Sequence, residues 1–146
     1  MGIDVGSDRR QRRERLFTRM VMAFARGDLA ALEEGVRPDV ELTLRGDSWL
    51  AGRYRGYEEF GQYAAGAALV LGAVNRQLSY FHAGAEMTVV HDFLVGGGAL
   101  LVEMPLHEVV GFDADDLVES LLIRPWDQRL FDEAVNAFLV STAIRS

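Results

Sequence analysis

The stretch from Met104 to Phe112, MPLHEVVGF, sets one histidine, His107, and one glutamate, Glu108, into the most apolar part of the chain. An imidazole there can be a core hydrogen-bonding group or, next to a carboxylate, a general base near neutral pH. Composition narrows the competing chemistries. There is no cysteine, which removes thiolate nucleophiles, disulfides and cysteine-bound metals together. All 15 basic residues are arginine, so a lysine Schiff base is excluded. The three histidines, His82, His91 and His107, lack ligand spacing, and no metal is expected. Neither a phosphate loop nor a dinucleotide fingerprint is present, and no cofactor is expected.

Charge and hydropathy bound the partners. The net charge is −7, and six arginines lie between Arg9 and Arg19. That run reads as the polar face of a first helix. A nucleic-acid arm would need basic charge over more of an otherwise acidic chain, so no nucleic-acid partner is expected. No apolar run reaches the length of a membrane span, and the first residues carry no apolar core of signal-peptide type. A cytoplasmic protein with no membrane partner is the expectation.

The elements that would position His107 follow from periodicity. Leu16, Phe17, Met20, Val21 and Phe24 recur with helical spacing, predicting a helix over 8–26 with Asp8 as its cap and Gly27 as its stop. Asp28 caps a short second helix that ends at Gly35. DVELTL alternates as a strand over 39–44, and RGDSWLAGRYRG reads as a turn-rich excursion. A third helix is predicted from Tyr57 to Leu71, with Glu58 and Glu59 in its first turn. Strands are predicted over 74–82, 86–95, 99–112 and 117–126, with a hairpin turn in the glycines 96–98. Asp127 caps a closing helix. One domain over 1–146 is expected, with 1–7 flexible. Both faces of strand 99–112 are largely apolar. Leu100, Val102, Met104 and Leu106, with His91 and Phe93 beside them, predict a face buried by a second copy of the chain.

This order resembles the nuclear transport factor 2-like superfamily, which includes SnoaL-like polyketide cyclases, ketosteroid isomerases and limonene epoxide hydrolases. The residues that carry the resemblance are FARGDLAALEEGVRPDVELTLRG, AGRYRGYEEF and GFDADDLVESLLIRPWDQRLFDEAV, within about residues 12–140. It implies an α+β, cone-shaped fold in which a curved antiparallel sheet and three to four helices enclose one pocket. It also implies a homodimer through the other sheet face.

The resemblance further implies a site. A Pro-x-Asp of the ketosteroid isomerases matches Pro105 to His107, which turns His107 and Glu103 toward the pocket. An epoxide-hydrolase aspartate matches Asp92, and a second one matches Arg124. Met20 and Leu44 stand where isomerases keep their catalytic tyrosine and aspartate, so that machinery is missing. The expected catalytic set is Asp92, His107 and Arg124, with Asp92 orienting the imidazole and Arg124 holding a substrate oxygen or pairing with Asp92. The expected substrate-binding wall is Met20, Phe24, Leu42, Leu44, Trp49, Phe60, Tyr63, Leu94, Glu103 and Trp126. These residues imply a cofactor-independent acid/base enzyme acting on a small hydrophobic oxygenated metabolite, in the manner of a SnoaL-like cyclase of secondary metabolism. The alternatives are an epoxide hydrolase or epoxide-opening cyclase, and a non-catalytic small-molecule-binding dimer.

Overall fold

The computed structural model describes residues 5–74 and 78–145. Helix α1, Val5–Arg26, buries Phe17, Met20 and Ala23 and packs Leu16, Val21 and Phe24 beside them, the stripe that the spacing predicted. It starts ahead of Asp8, which therefore sits in the first turn and not at the cap. Residues 5–7 of the segment expected to be flexible are helical, and residues 1–4 lie outside the described residues. Gly27 ends α1 with a positive φ of 69°. The Asp28 carboxylate then accepts the Ala31 N–H at 3.1 Å and starts α2, Leu29–Glu34.

Seven strands make one curved, unclosed sheet: β1 Val36–Leu44, β2 Gly52–Arg55, β3 Leu71–Ala73, β4 Ser79–Ala83, β5 Glu86–Gly97, β6 Leu100–Phe112 and β7 Val118–Pro125. Their order is β2-β1-β7-β6-β5-β3, with β4 also on β5. Helix α3, Gly56–Val70, and helix α4, Gln128–Arg145, complete the chain. The excursion after β1 folds back as β2, pairing Leu42 with Tyr54 and Leu44 with Gly52. The strand expected over 74–82 is represented by β3 and β4, and residues 75–77 lie outside the described residues. The sheet is mixed and not wholly antiparallel, because β1 runs parallel to β7. The long intervening chain is what a parallel pair requires.

Register decides which side chains meet the helices. Gly97 pairs with Leu100, so the turn falls at Gly98–Ala99. Val89, His91, Phe93 and Val95 of β5, and Met104, Leu106, Val110 and Phe112 of β6, are buried on the helix-covered inner face. Thr88, Val90, Asp92, Pro105, His107 and Val109 alternate with them and look outward. This overturns the expected orientation. The face of Met104, Leu106, His91 and Phe93, assigned from sequence to a second copy, is covered by the chain's own helices.

Two contacts fasten the helices to this sheet. Phe131, Ala134 and Val135 of α4 are fully buried. A Cβ on Gly96, whose φ is 102°, would stand 2.3 Å from the Leu100 carbonyl oxygen and 3.1 Å from that of Ala134, so α4 can approach β5 only over glycine. Arg13 of α1 is 5% exposed. Its guanidinium donates to Asp116 Oδ1 at 3.0 Å and to the Gly84 carbonyl at 3.0 Å, and lies 4.8 Å from the centre of the Phe112 ring. The arginine run is thus a solvated face with one member sunk into a clasp.

Candidate functional site

Between α1, α3 and the inner face of the sheet lies a cavity with a free volume of about 70 Å³. Helix α1 lends it Phe17, Met20, Val21 and Phe24, because those positions recur on the stripe that turns inward. Phe60, Tyr63 and Ala64 come from α3, and Leu42, Phe93, Leu121 and Ile123 from the sheet. Glu108 of β6 is set among these apolar side chains. An apolar cavity with few polar groups is the usual form of a small-molecule site.

Glu108 is placed by its rungs, opposite Val89 on one side and Ile123 on the other, both inward-facing. The residue keeps some accessible surface, yet its Oε2 is covered and finds no hydrogen-bond partner among the described residues. Burial pushes its pKa up from the ordinary 4.5 to about 7, because no charge or donor compensates the carboxylate for lost water. Near neutrality it therefore exists in both protonation states, the condition for giving and taking protons at one pH. Tyr63, also on the cavity wall, has its phenol pKa raised well above 10, first by burial and then by the charges of Glu108 and Tyr54. It stays a neutral hydroxyl, 5.3 Å from Tyr54 between ring centres.

His91 is the other polar residue on the inner face of β5. It is 2% exposed, and its ring lies 4.5 Å from that of Phe93, a cavity residue. Its pKa is lowered by burial, against the opposing effects of a hydrogen bond to the Val74 backbone and the charge of Asp92, so the ring is neutral. Nδ1 has no partner among the described residues.

The catalytic set read from sequence is assembled, but on the far side of the sheet. His107 stands opposite Arg124, and Asp92, opposite Pro105, is diagonal to His107. All three look outward, away from the cavity, with Arg124 exposed. Among the expected wall residues, Met20, Phe24, Leu42, Phe60 and Tyr63 line the cavity. Leu44 is buried in β1 outside the cavity wall. Trp49 packs 6.4 Å from Phe138 and donates its indole N–H to the Val135 carbonyl. Leu94, Glu103 and Trp126 are exposed on the outer side, Trp126 at 73%, with its ring 6.3 Å from that of His107. The sequence reading missed Glu108, although a signal was present: it is the sole charged residue at the alternate positions Leu100 to Phe112. Among the described residues no cluster of three or more His, Cys, Asp or Glu is placed to hold a metal ion.

Neither a protein-family model nor a curated protein matches the sequence. Solved structures do match the fold. An NTF2-like protein from Burkholderia xenovorans LB400 superposes with a TM-score of 0.74 at 19% identity, covering 86% of this chain and 97% of that one. A candidate polyketide cyclase from Xanthomonas campestris pv. campestris gives a TM-score of 0.69 at 15% identity over 87% of this chain and 98% of its own. TerC, co-crystallised with polyporic acid, gives 0.71 at 16% identity over 84% and 97%. The chain has the NTF2-like, SnoaL-like fold.

Proposed function

We propose that this chain is a cofactor-independent acid/base enzyme whose cavity takes a small hydrophobic, oxygenated metabolite, with Glu108 as the group that moves the proton. The observation that carries this reading is the unpartnered Glu108 Oε2 in an otherwise apolar wall. A structural carboxylate would be paired. The reaction that fits is the one a SnoaL-like cyclase performs. Ionised Glu108 removes a proton from a carbon beside a carbonyl. The freed electron pair forms a carbon–carbon bond to a second carbonyl in the same molecule, whose oxygen takes up a proton. The neutral Tyr63 hydroxyl is a hydrogen-bond donor for the developing oxyanion. The fold shared with a candidate polyketide cyclase agrees with this reaction class.

Epoxide opening fits less well. It needs an acid for the epoxide oxygen and a separate base for the nucleophile, and Glu108 is the sole carboxyl on the described cavity wall. A homodimer through the outer sheet face belongs to the proposal, now on account of Leu94, Leu101 and Trp126, which are exposed there. Loss of α-deuterium from a panel of small labelled cyclic ketones, followed by NMR, tests the enzyme reading. Exchange is expected in the native protein and absent in Glu108→Gln with an unchanged circular dichroism spectrum. Exchange that survives Glu108→Gln removes the assignment, and no exchange with any ketone favours the non-catalytic binding dimer.

A further inference from the structure

The inner faces of β5 and β6 are apolar except at two positions, and those two are neighbours. Glu108 stands in the rung opposite Val89, and His91 in the next rung, opposite Leu106. Phe93 stands in the rung after that. Glu108 and Phe93 both line the cavity, and the His91–Leu106 rung stands between their two rungs, with neither His91 nor Leu106 on the wall itself. Diagonal residues on adjacent antiparallel strands have Cα atoms roughly 7–8 Å apart, close enough for one ligand group to touch both side chains. Each of the two carries a covered polar atom without a partner, His91 Nδ1 and Glu108 Oε2. Buried polar atoms in folded proteins are nearly always paired, so orphans on two diagonal residues point to a third group that would bond to both.

We propose that His91 is a second ligand-binding residue of the cavity, and that the molecule bound there carries a hydroxyl, phenolic or enolic, held between His91 Nδ1 and the Glu108 carboxyl. The proposal deepens the acid/base reading, on which it rests, by naming the substrate's functional group. The chemistry of the two atoms selects that group. Nδ1 of a neutral imidazole whose other nitrogen carries the proton is an acceptor, so the ligand must donate to it. Glu108 in its protonated form donates and in its ionised form accepts. A hydroxyl gives its proton to one partner and keeps lone pairs for the other. A ketone or an ether can serve Glu108 alone and leaves Nδ1 unpaired.

Phenol and toluene have nearly the same shape and differ in the hydroxyl, which makes them the probes. Calorimetric titration of the whole protein is expected to show phenol binding at least tenfold tighter than toluene. In His91→Phe the preference is expected to vanish while toluene binding persists. His91→Gln, which keeps an acceptor, is expected to restore part of it. In the native protein the ¹⁵N signal of His91 Nδ1 should move on adding phenol and stay still with toluene. If the preference disappears in Glu108→Gln yet survives both His91 variants, the His91 assignment is overturned and the Glu108 reading stands. If phenol and toluene bind equally to the native protein, or neither binds, the proposed hydroxyl site is wrong.

Discussion

Glu108, the proton-moving group of the proposed function, also couples protonation to the stability of the fold. Below the pH at which an unfolded chain's glutamate ionises, near 4.5, both states hold the proton. From there to about 7 the folded protein keeps the proton that the unfolded chain has lost, so stability falls as pH rises, and above 7 it levels off. The loss from this one group is roughly 3 kcal/mol. Urea denaturation at a series of pH values is expected to show that decline in the native protein and a flatter profile in Glu108→Gln. The variant is also expected to be the more stable at pH 7. A variant whose decline matches that of the native protein would mean that some other group sets the slope. Arg124 provides the contrast. A buried pair with Asp92 would make Arg124→Leu costly, but Arg124 is exposed on the outer face. Its replacement is expected to change stability by less than about 0.5 kcal/mol, as thermal melts would show.

At the scale of elements, the Asp116 clasp is a turn residue that holds a helix. Asp116 lies between β6 and β7 with a positive φ of 61° and receives Arg9, Arg12 and Arg13 of α1. Burial works to raise its pKa, but the hydrogen bonds and charges of Arg9 and Arg13 outweigh that and hold it below the usual range. Its contribution is therefore complete at neutral pH and lost as acid protonates it. Asp116→Ala leaves the Arg13 guanidinium buried with the Gly84 carbonyl as its remaining hydrogen-bond partner among the described residues and the Phe112 ring beside it. It is expected to destabilise by about 3 kcal/mol in chemical denaturation. The order of elements was legible from sequence because caps and periodicity are local: Gly27, Asp28 and the α1 stripe stand where they were expected. The side of the sheet on which His107 lies was not legible. Strand β6 is apolar on both faces, so alternation does not say which face meets the helices. The match of Pro105 to a pocket-facing residue in isomerases settled the choice wrongly, and a shift of one residue moved every side chain to the opposite face. The parity error carried Asp92, His107 and Arg124 outward together, which is why they share a face but not the cavity. Clasp and loop contacts such as Arg13–Asp116 join residues far apart in sequence and leave no periodic trace.

Across the whole molecule, the outer sheet face combines apolar side chains with charge: Leu94, Leu101 and Trp126 lie there with Asp92, Glu103, His107 and Arg124. Light scattering at micromolar concentration is expected to give twice the chain mass, falling toward one chain mass in a Leu101→Glu, Trp126→Glu variant. A native protein of one chain mass would sink the dimer. The parallel pairing of β1 with β7 has a consequence of another kind, in the order of events by which the chain reaches its shape. Val36 meets Val118 and Leu44 meets Ile123, so the strand that carries part of the cavity wall waits for a partner from near the other end of the chain. The β5–β6 hairpin, closed by two residues, has no such delay. Pulse-labelled hydrogen exchange during refolding should find the amides of β5 and β6 protected first and those of β1 later, together with β7. Equally early protection of β1 would contradict this order. On that order, a cavity with one wall formed early and the other formed late is absent until β1 pairs with β7, so the proposed proton-transfer site comes into being only with that strand pairing.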